Sequence, residues 1–262
     1  MALRFPRLPD MRLLRSPLTE VVCQVRFPPI LRIVNEAPAA FQECIRERFP
    51  RFETEDGFLF QLQFSGSEPI PSSTTHPTSR LFRFQDAEGD SAVTLSTDFF
   101  ALSTSRYTVW EDFAQDLALI QEAVQATYAP GFSTRVGLRY VDRLVPSKLG
   151  LATFDDVLAL LRPELTSLFR VSVWDPPAEL LCQLILPDQD GTLGLRFGTQ
   201  RTADELTFVL DFDYYEDQEL PFEGLTARCH RYHDSIYDAF RWCINDDQFH
   251  VFQPVAKEGE RP

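Results

Sequence analysis

From Leu18 to Tyr128 the chain runs through a strand, a helix, several strands in hairpin order and a long amphipathic helix, and from Thr134 to Ile244 it runs through a similar series. That doubling constrains the fold more than any other feature. Strands in hairpin order build antiparallel sheet, and a long helix with one apolar stripe must bury it against a sheet face. The expectation is an α+β protein of two pseudo-repeated halves, each of order β-α-β(3-4)-α, joined into one curved sheet. The divisions fall at an N-terminal extension over 1–17, a first half over 18–131, a second over 132–252 and a flexible tail over 253–262. Only Ala129–Ser133 separates the first long helix from the strand after it, which leaves the halves little slack and predicts a shared core.

Val21, Cys23, Val25 and Phe27 alternate with Glu20, Val22, Gln24 and Arg26 until Pro28 and Pro29 stop the strand. Phe41, Ile45 and Phe49 then mark one side of a short helix that Pro50 ends. Phe58, Phe60, Leu62 and Phe64 predict a second strand, Gly66–Ser79 a loop, and Arg80–Thr104 two or three more strands. Trp110, Phe113, Leu117, Ile120 and Val124 form the stripe of the long helix, with Thr108 and Glu111 spaced as a capping box and Pro130-Gly131 closing it. In the second half, a strand over Thr134–Leu144 precedes a helix capped by Thr153 that bends or restarts at Pro163. Strands near Leu180–Leu186, Thr192–Phe197 and Glu205–Tyr214 follow, then a last helix over Leu225–Ile244 and a polar, frayed end after Pro254. This element order is analogous to saddle-shaped and helix-grip folds, an analogy that carries no function.

With 262 residues, 44% of them hydrophobic and 23 of them Phe, the chain buries a sizeable core without staples. Its formal charge of −14, from 39 acidic against 25 basic residues, repels phosphate backbones and anionic membranes, so nucleic acid is disfavoured and a basic protein partner is favoured. Cys23, Cys44, Cys182, Cys229 and Cys243 are widely spaced among apolar residues and read as small core residues. No signal-peptide run or membrane-length apolar run is present, which predicts a cytoplasmic protein. No cofactor motif is present either: the chain has no G-x-S-x-G elbow, no phosphate loop and no dinucleotide fingerprint.

Chemistry concentrates on the strand Thr134–Leu144. Its alternation places Tyr140 and Asp142 on the apolar side with Val136, Leu138 and Leu144, and Arg135, Arg139 and Arg143 together on the other. Asp211 and Asp213 take the matching polar side of a later strand, so Arg135 and Arg139 have carboxylate partners within one sheet. Two readings follow: a solvated cross-strand charge ladder, worth ~0.2–1 kcal/mol per pair, or a recognition surface for an anionic ligand or a partner's charged side chain. Inward-facing Asp142 is either a general base or ligand contact with a perturbed pKa, or a strand-end carboxylate in water or bonded to loop amides. His230 and His233 share part of the last helix with Asp234, but their spacing lacks the third ligand of a zinc site. The candidate binding set is therefore Arg135, Arg139, Tyr140, Asp142, Asp211, Asp213 and His233, with no catalytic or metal-binding residue assigned.

Ser16-Pro17-Leu18-Thr19-Glu20-Val21, Tyr107-x-x-Trp110-x-x-Phe113, Gly137-Leu138-Arg139-Tyr140-Val141-Asp142 and His233-Asp234-x-Ile236-x-x-x-Phe240 together resemble a sporadically distributed family of uncharacterised bacterial and archaeal proteins of similar length. The Gly-Leu-Arg-Tyr strand is the most specific element; that family more often has Asn at the position of Asp142. The resemblance brings no activity, and it implies an accessory setting of the defence or toxin-associated kind. The leading expectation is a non-catalytic protein that binds another protein. The alternatives are a small-anion receptor with a cleft between sheet and helices, and an enzyme using Asp142, His230 or His233.

Overall fold

The alternation around Val21 and around Leu138 makes two strands that pair with each other, and the rest of the sheet grows outward from that seam. The computed structural model describes residues 3–56, 80–201 and 205–256. The elements of the first half are β1 (Met11–Leu13), β2 (Leu18–Arg26), α1 (Arg32–Asn35), α2 (Ala39–Ile45), β3 (Arg51–Asp56), β4 (Arg80–Gln85), β5 (Ser91–Leu95), β6 (Phe99–Thr104) and α3 (Trp110–Tyr128). After them come β7 (Phe132–Ser133), β8 (Arg135–Leu144), α4 (Pro146–Leu149), α5 (Phe154–Leu160), α6 (Pro163–Thr166), β9 (Glu179–Pro187), β10 (Thr192–Arg201), β11 (Leu206–Glu216), β12 (Leu220–Pro221), α7 (Leu225–Cys243) and β13 (Pro254–Ala256). Nine strands form one antiparallel sheet in the order β3-β4-β5-β6-β2-β8-β11-β10-β9. The fold thus mixes helix and strand, with a large antiparallel sheet on which helices pack.

At the seam, Cys23 lies opposite Leu138 and Val21 opposite Tyr140. Beside it Phe212 faces Tyr140 and Tyr214 faces Leu138, so apolar residues of β2, β8 and β11 share one side. The predicted stripe of α3 is buried in full, from Trp110 through Val124. Helix α7 buries Leu225, Cys229, Tyr232, Ile236 and Phe240 against the same side of the sheet. One apolar cluster contains these residues of both halves together with Phe41, Ile45 and Phe49.

Local chemistry sets the boundaries. Thr153 and Asp156 form a reciprocal capping box at the start of α5, and Pro163 opens a new helix instead of bending the old one. At α3 the expected box between Thr108 and Glu111 does not form. The helix is capped by Val109, and the Thr108 hydroxyl donates to the Asp112 carboxylate at 2.7 Å. The segment Arg80–Thr104 makes three strands; the turn between the first two places Gly89 at φ +84° while its amide donates to Asp86 at 2.7 Å.

Several expectations need correction. Arg51–Asp56 is a strand that the sequence reading did not place, and the strand and loop read over Phe58–Ser79 lie outside the described residues. The tail read over 253–262 is not free throughout, because Pro254–Ala256 pairs with Met11–Leu13 of the presumed extension. Cys44 is exposed and not in the core, whereas Cys23, Cys229 and Cys243 are buried.

Candidate functional site

Strand β8 divides the predicted site residues into two groups that cannot act on one ligand, since successive side chains of a strand point to opposite faces. Arg135, Arg139, Asp211 and Asp213 lie on the face away from α3 and α7. Tyr140, Asp142 and His233 lie on the helix side.

On the arginine face the pairing follows the alternation. Arg139 makes a two-pronged contact with Asp211, Nε to Oδ1 at 2.6 Å and Nη2 to Oδ2 at 2.8 Å, and Arg196 Nη1 donates to Asp211 Oδ2 at 3.2 Å. Arg135 donates to Asp213 at 3.2 Å and sets its guanidinium 4.7 Å above the ring of Tyr215. Gly137 allows that posture, because a Cβ there would stand 2.8 Å from the Arg135 guanidinium. The ladder is not solvated as expected at its centre: the Arg139 and Asp211 side chains are only 9% and 7% exposed, against 23% and 22% for Arg135 and Asp213. Burial raises the Asp213 carboxyl, with the Arg135 charge opposing. A recess of about 280 Å³ lies on this face, and its charged lining residues are Arg139, Arg143, Arg196, Glu20, Glu179 and Asp211. Three guanidiniums against three carboxylates leave no net charge to draw an anion.

On the helix side, a cavity of about 340 Å³ opens beside the end of β8, bounded by α7, the residues before α3 and the segment 10–18. Tyr140, Asp142 and His233 all line it, together with Asp10, Tyr107 and Tyr237; Leu13, Leu18, Ile236 and Phe240 supply apolar wall. The Tyr140 hydroxyl is 2.9 Å from His233 Nδ1 and 3.3 Å from the Tyr107 hydroxyl, and His233 Nε2 is 3.1 Å from Asp10 Oδ2. Trp110 stacks on the His233 ring at 4.9 Å with a 7° tilt, fixing the plane in which both nitrogens meet their partners. Both ring nitrogens of His233 thus meet an oxygen, Nδ1 that of Tyr140 and Nε2 that of Asp10. Burial raises the phenol pKa of both Tyr107 and Tyr140, which keeps them as hydroxyls.

Asp142 is 5% exposed and lines the cavity. Burial, with like-charge repulsion from Asp211 second, raises its pKa from 3.8 to about 8, so at neutral pH it is a carboxylic acid able to donate.

His230 does not join the cavity; it is exposed and 3.9 Å from Asp234. Asp10, Tyr107 and Tyr237 were missed by the sequence reading. Tyr107 sits within the quoted Tyr107-x-x-Trp110 spacing, whereas no local pattern marks Asp10. Among the described residues no group of three or more His, Cys, Asp or Glu side chains is placed to hold a metal, and no helix is long and apolar enough to cross a membrane. Compared with models of known families and with curated protein sequences, the chain matches none.

Proposed function

We propose that the protein is a binding protein for a small polar molecule, held in the cavity beside β8. The observation that carries this reading is the convergence of Asp142, Tyr140, His233, Asp10 and Tyr107 on one cavity with an apolar wall, where a ligand can meet several polar groups at once. The volume of about 340 Å³ is at the lower end of small-ligand sites. A protonated Asp142 donates, so the ligand presents an acceptor there, such as a carbonyl or ring nitrogen, and an apolar body toward Leu13, Leu18, Ile236 and Phe240. Native mass spectrometry of protein isolated from its own cells tests this. The wild type should carry a small bound mass that Asp142→Leu loses while keeping the same secondary structure. A wild type that arrives bare, and whose melting no acceptor-bearing compound shifts, would refute the reading.

A second reading is an enzyme, favoured by the meeting of Asp142 and His233 in one cavity. A carboxyl with a pKa of about 8 is suited to proton transfer near neutral pH. Any activity found should then follow the ionisation of Asp142.

The two halves we read as pseudo-repeats. In support, the first long strand of each half lies beside the last strand of its own meander, β2 by β6 and β8 by β11, and β2 pairs with β8. The cytoplasmic accessory or defence setting and the basic partner rest on the resemblance and on the charge balance.

A further inference from the structure

We infer that the protein forms a two-fold dimer by antiparallel pairing of β9 with β9 of a second copy. Strand β9 ends the nine-stranded sheet and has no hydrogen-bonded neighbour on its outer side among the described residues. An edge strand displays a row of peptide donors and acceptors, and sheet proteins blunt such edges with charge, proline or brevity. Here nine residues, Glu179–Pro187, are paired to β10 on the inner side, and Leu180 through Leu186 carry no charge. The edge is instead apolar on both faces. Leu181 is 46% exposed, Leu184 41% and Ile185 52%. Leu181 and Ile185 lie opposite Gly198 and Gly194 of β10, which have no side chains to cover them. Of the eleven large apolar side chains exposed among the described residues, six fall between Leu168 and Ile185, so the exposure is local to this edge and its approach and not a general property of the surface.

The charge pattern selects a second copy as the occupant. A chain of net charge −14 resists self-association unless its acidic groups avoid one another. Antiparallel pairing centred on Gln183 achieves that. It sets Glu179, the one charged residue of β9, opposite Pro187 of the other copy, so within the paired strands no acidic residue faces another. The same register places Leu181 of each copy on Ile185 of the other and Leu184 on Cys182, with Gln183 meeting its own equivalent. The contact is isologous and closed: each copy covers the other's edge, and the two sheets become one.

Sedimentation of the full chain across about 1–100 µM, with two variants, tests this. The wild type should sediment at twice the chain mass. Leu181→Lys with Ile185→Lys, both on exposed side chains, should leave the melting profile intact and weaken the dimer at least tenfold. In a background of Cys44→Ser and Cys182→Ser, Gln183→Cys should link two chains on mild oxidation, because directly opposed residues of antiparallel strands lie roughly 4.5–5.5 Å apart at Cα, within disulfide range. A wild type monomeric throughout, including one whose edge binds only an extended foreign peptide, overturns the inference. So does a dimer indifferent to the lysines, or one that Gln183→Cys fails to link.

Discussion

Replacing Asp142 by Asn keeps the shape of the side chain and removes its titration. The folded protein holds the Asp142 proton up to about pH 8, whereas an unfolded chain releases it near the ordinary value of 3.8. Between those two values the folded state binds a proton that the unfolded state has lost, so rising pH favours unfolding. The stabilisation from the neutral carboxyl is therefore whole below about pH 4, declines across the window and is gone above about pH 8. Roughly four pH units at ~1.4 kcal/mol each set a ceiling of ~6 kcal/mol. Water that reaches the carboxyl through the cavity lessens the cost of ionising it, and ~2–4 kcal/mol is the expected span. Every other titrating group cancels in the difference between wild type and variant. In urea titrations at pH 4.5, 6.5 and 8.5, Asp142→Asn should match the wild type within ~1 kcal/mol at the lowest pH and exceed it by ~2–4 kcal/mol at the highest. Parallel pH curves would refute the reasoning, since they would mean that Asp142 ionises as easily in the fold as outside it.

Three further outcomes follow from the packing. Trp110→Ala removes a buried indole and the platform under His233, and urea unfolding should show a loss of ~3–5 kcal/mol. Arg139→Gln leaves the buried Asp211 with Arg196 alone and should cost ~2–4 kcal/mol, whereas Arg135→Gln, at a half-open pair, should cost ~1 kcal/mol or less; equal costs would show that burial does not govern this face. In the folded protein a thiol reagent should modify Cys44 readily and Cys23, Cys229 and Cys243 only on unfolding, because burial raises the Cys243 thiol, and the contact with Cys229 followed by burial raises that of Cys23, away from the reactive thiolate.

Periodicity made much of the frame legible. The stripe from Trp110 to Val124, the alternation of β8 and the placing of Asp211 and Asp213 on one face of their strand were readable because each is a local repeat whose period is fixed by backbone geometry, whereas the diagonal pairing of Arg139 with Asp211 depends on the register between strands. Alternation names a face, however, not how deeply that face is covered. The solvated ladder, one of the two readings of that face, does not hold at its centre, where the Arg139 and Asp211 side chains are buried. Offsets of one residue also escaped: Val109, not Thr108, caps α3, because the Thr108 hydroxyl takes the Asp112 carboxylate instead. Asp10 and His233 are 223 residues apart, and nothing local records their meeting. Strands β1 and β13 have three residues each, too few for an alternation to declare itself.

The pairing of those two short strands gives the cavity a temporal property. Leu13 meets Pro254 across roughly 240 residues of intervening chain, a closure among the costliest in the fold to make early. The segment it pins, residues 10–18, is one wall of the cavity. The seam strands and both long helices all precede residue 254 along the chain, so the clamp on the cavity wall is the last of these pieces to be synthesised. A chain stopped at residue 252 should fold its sheet yet leave that wall unpinned, and ligand binding would then report the clasp between β1 and β13, not merely the folding of the sheet.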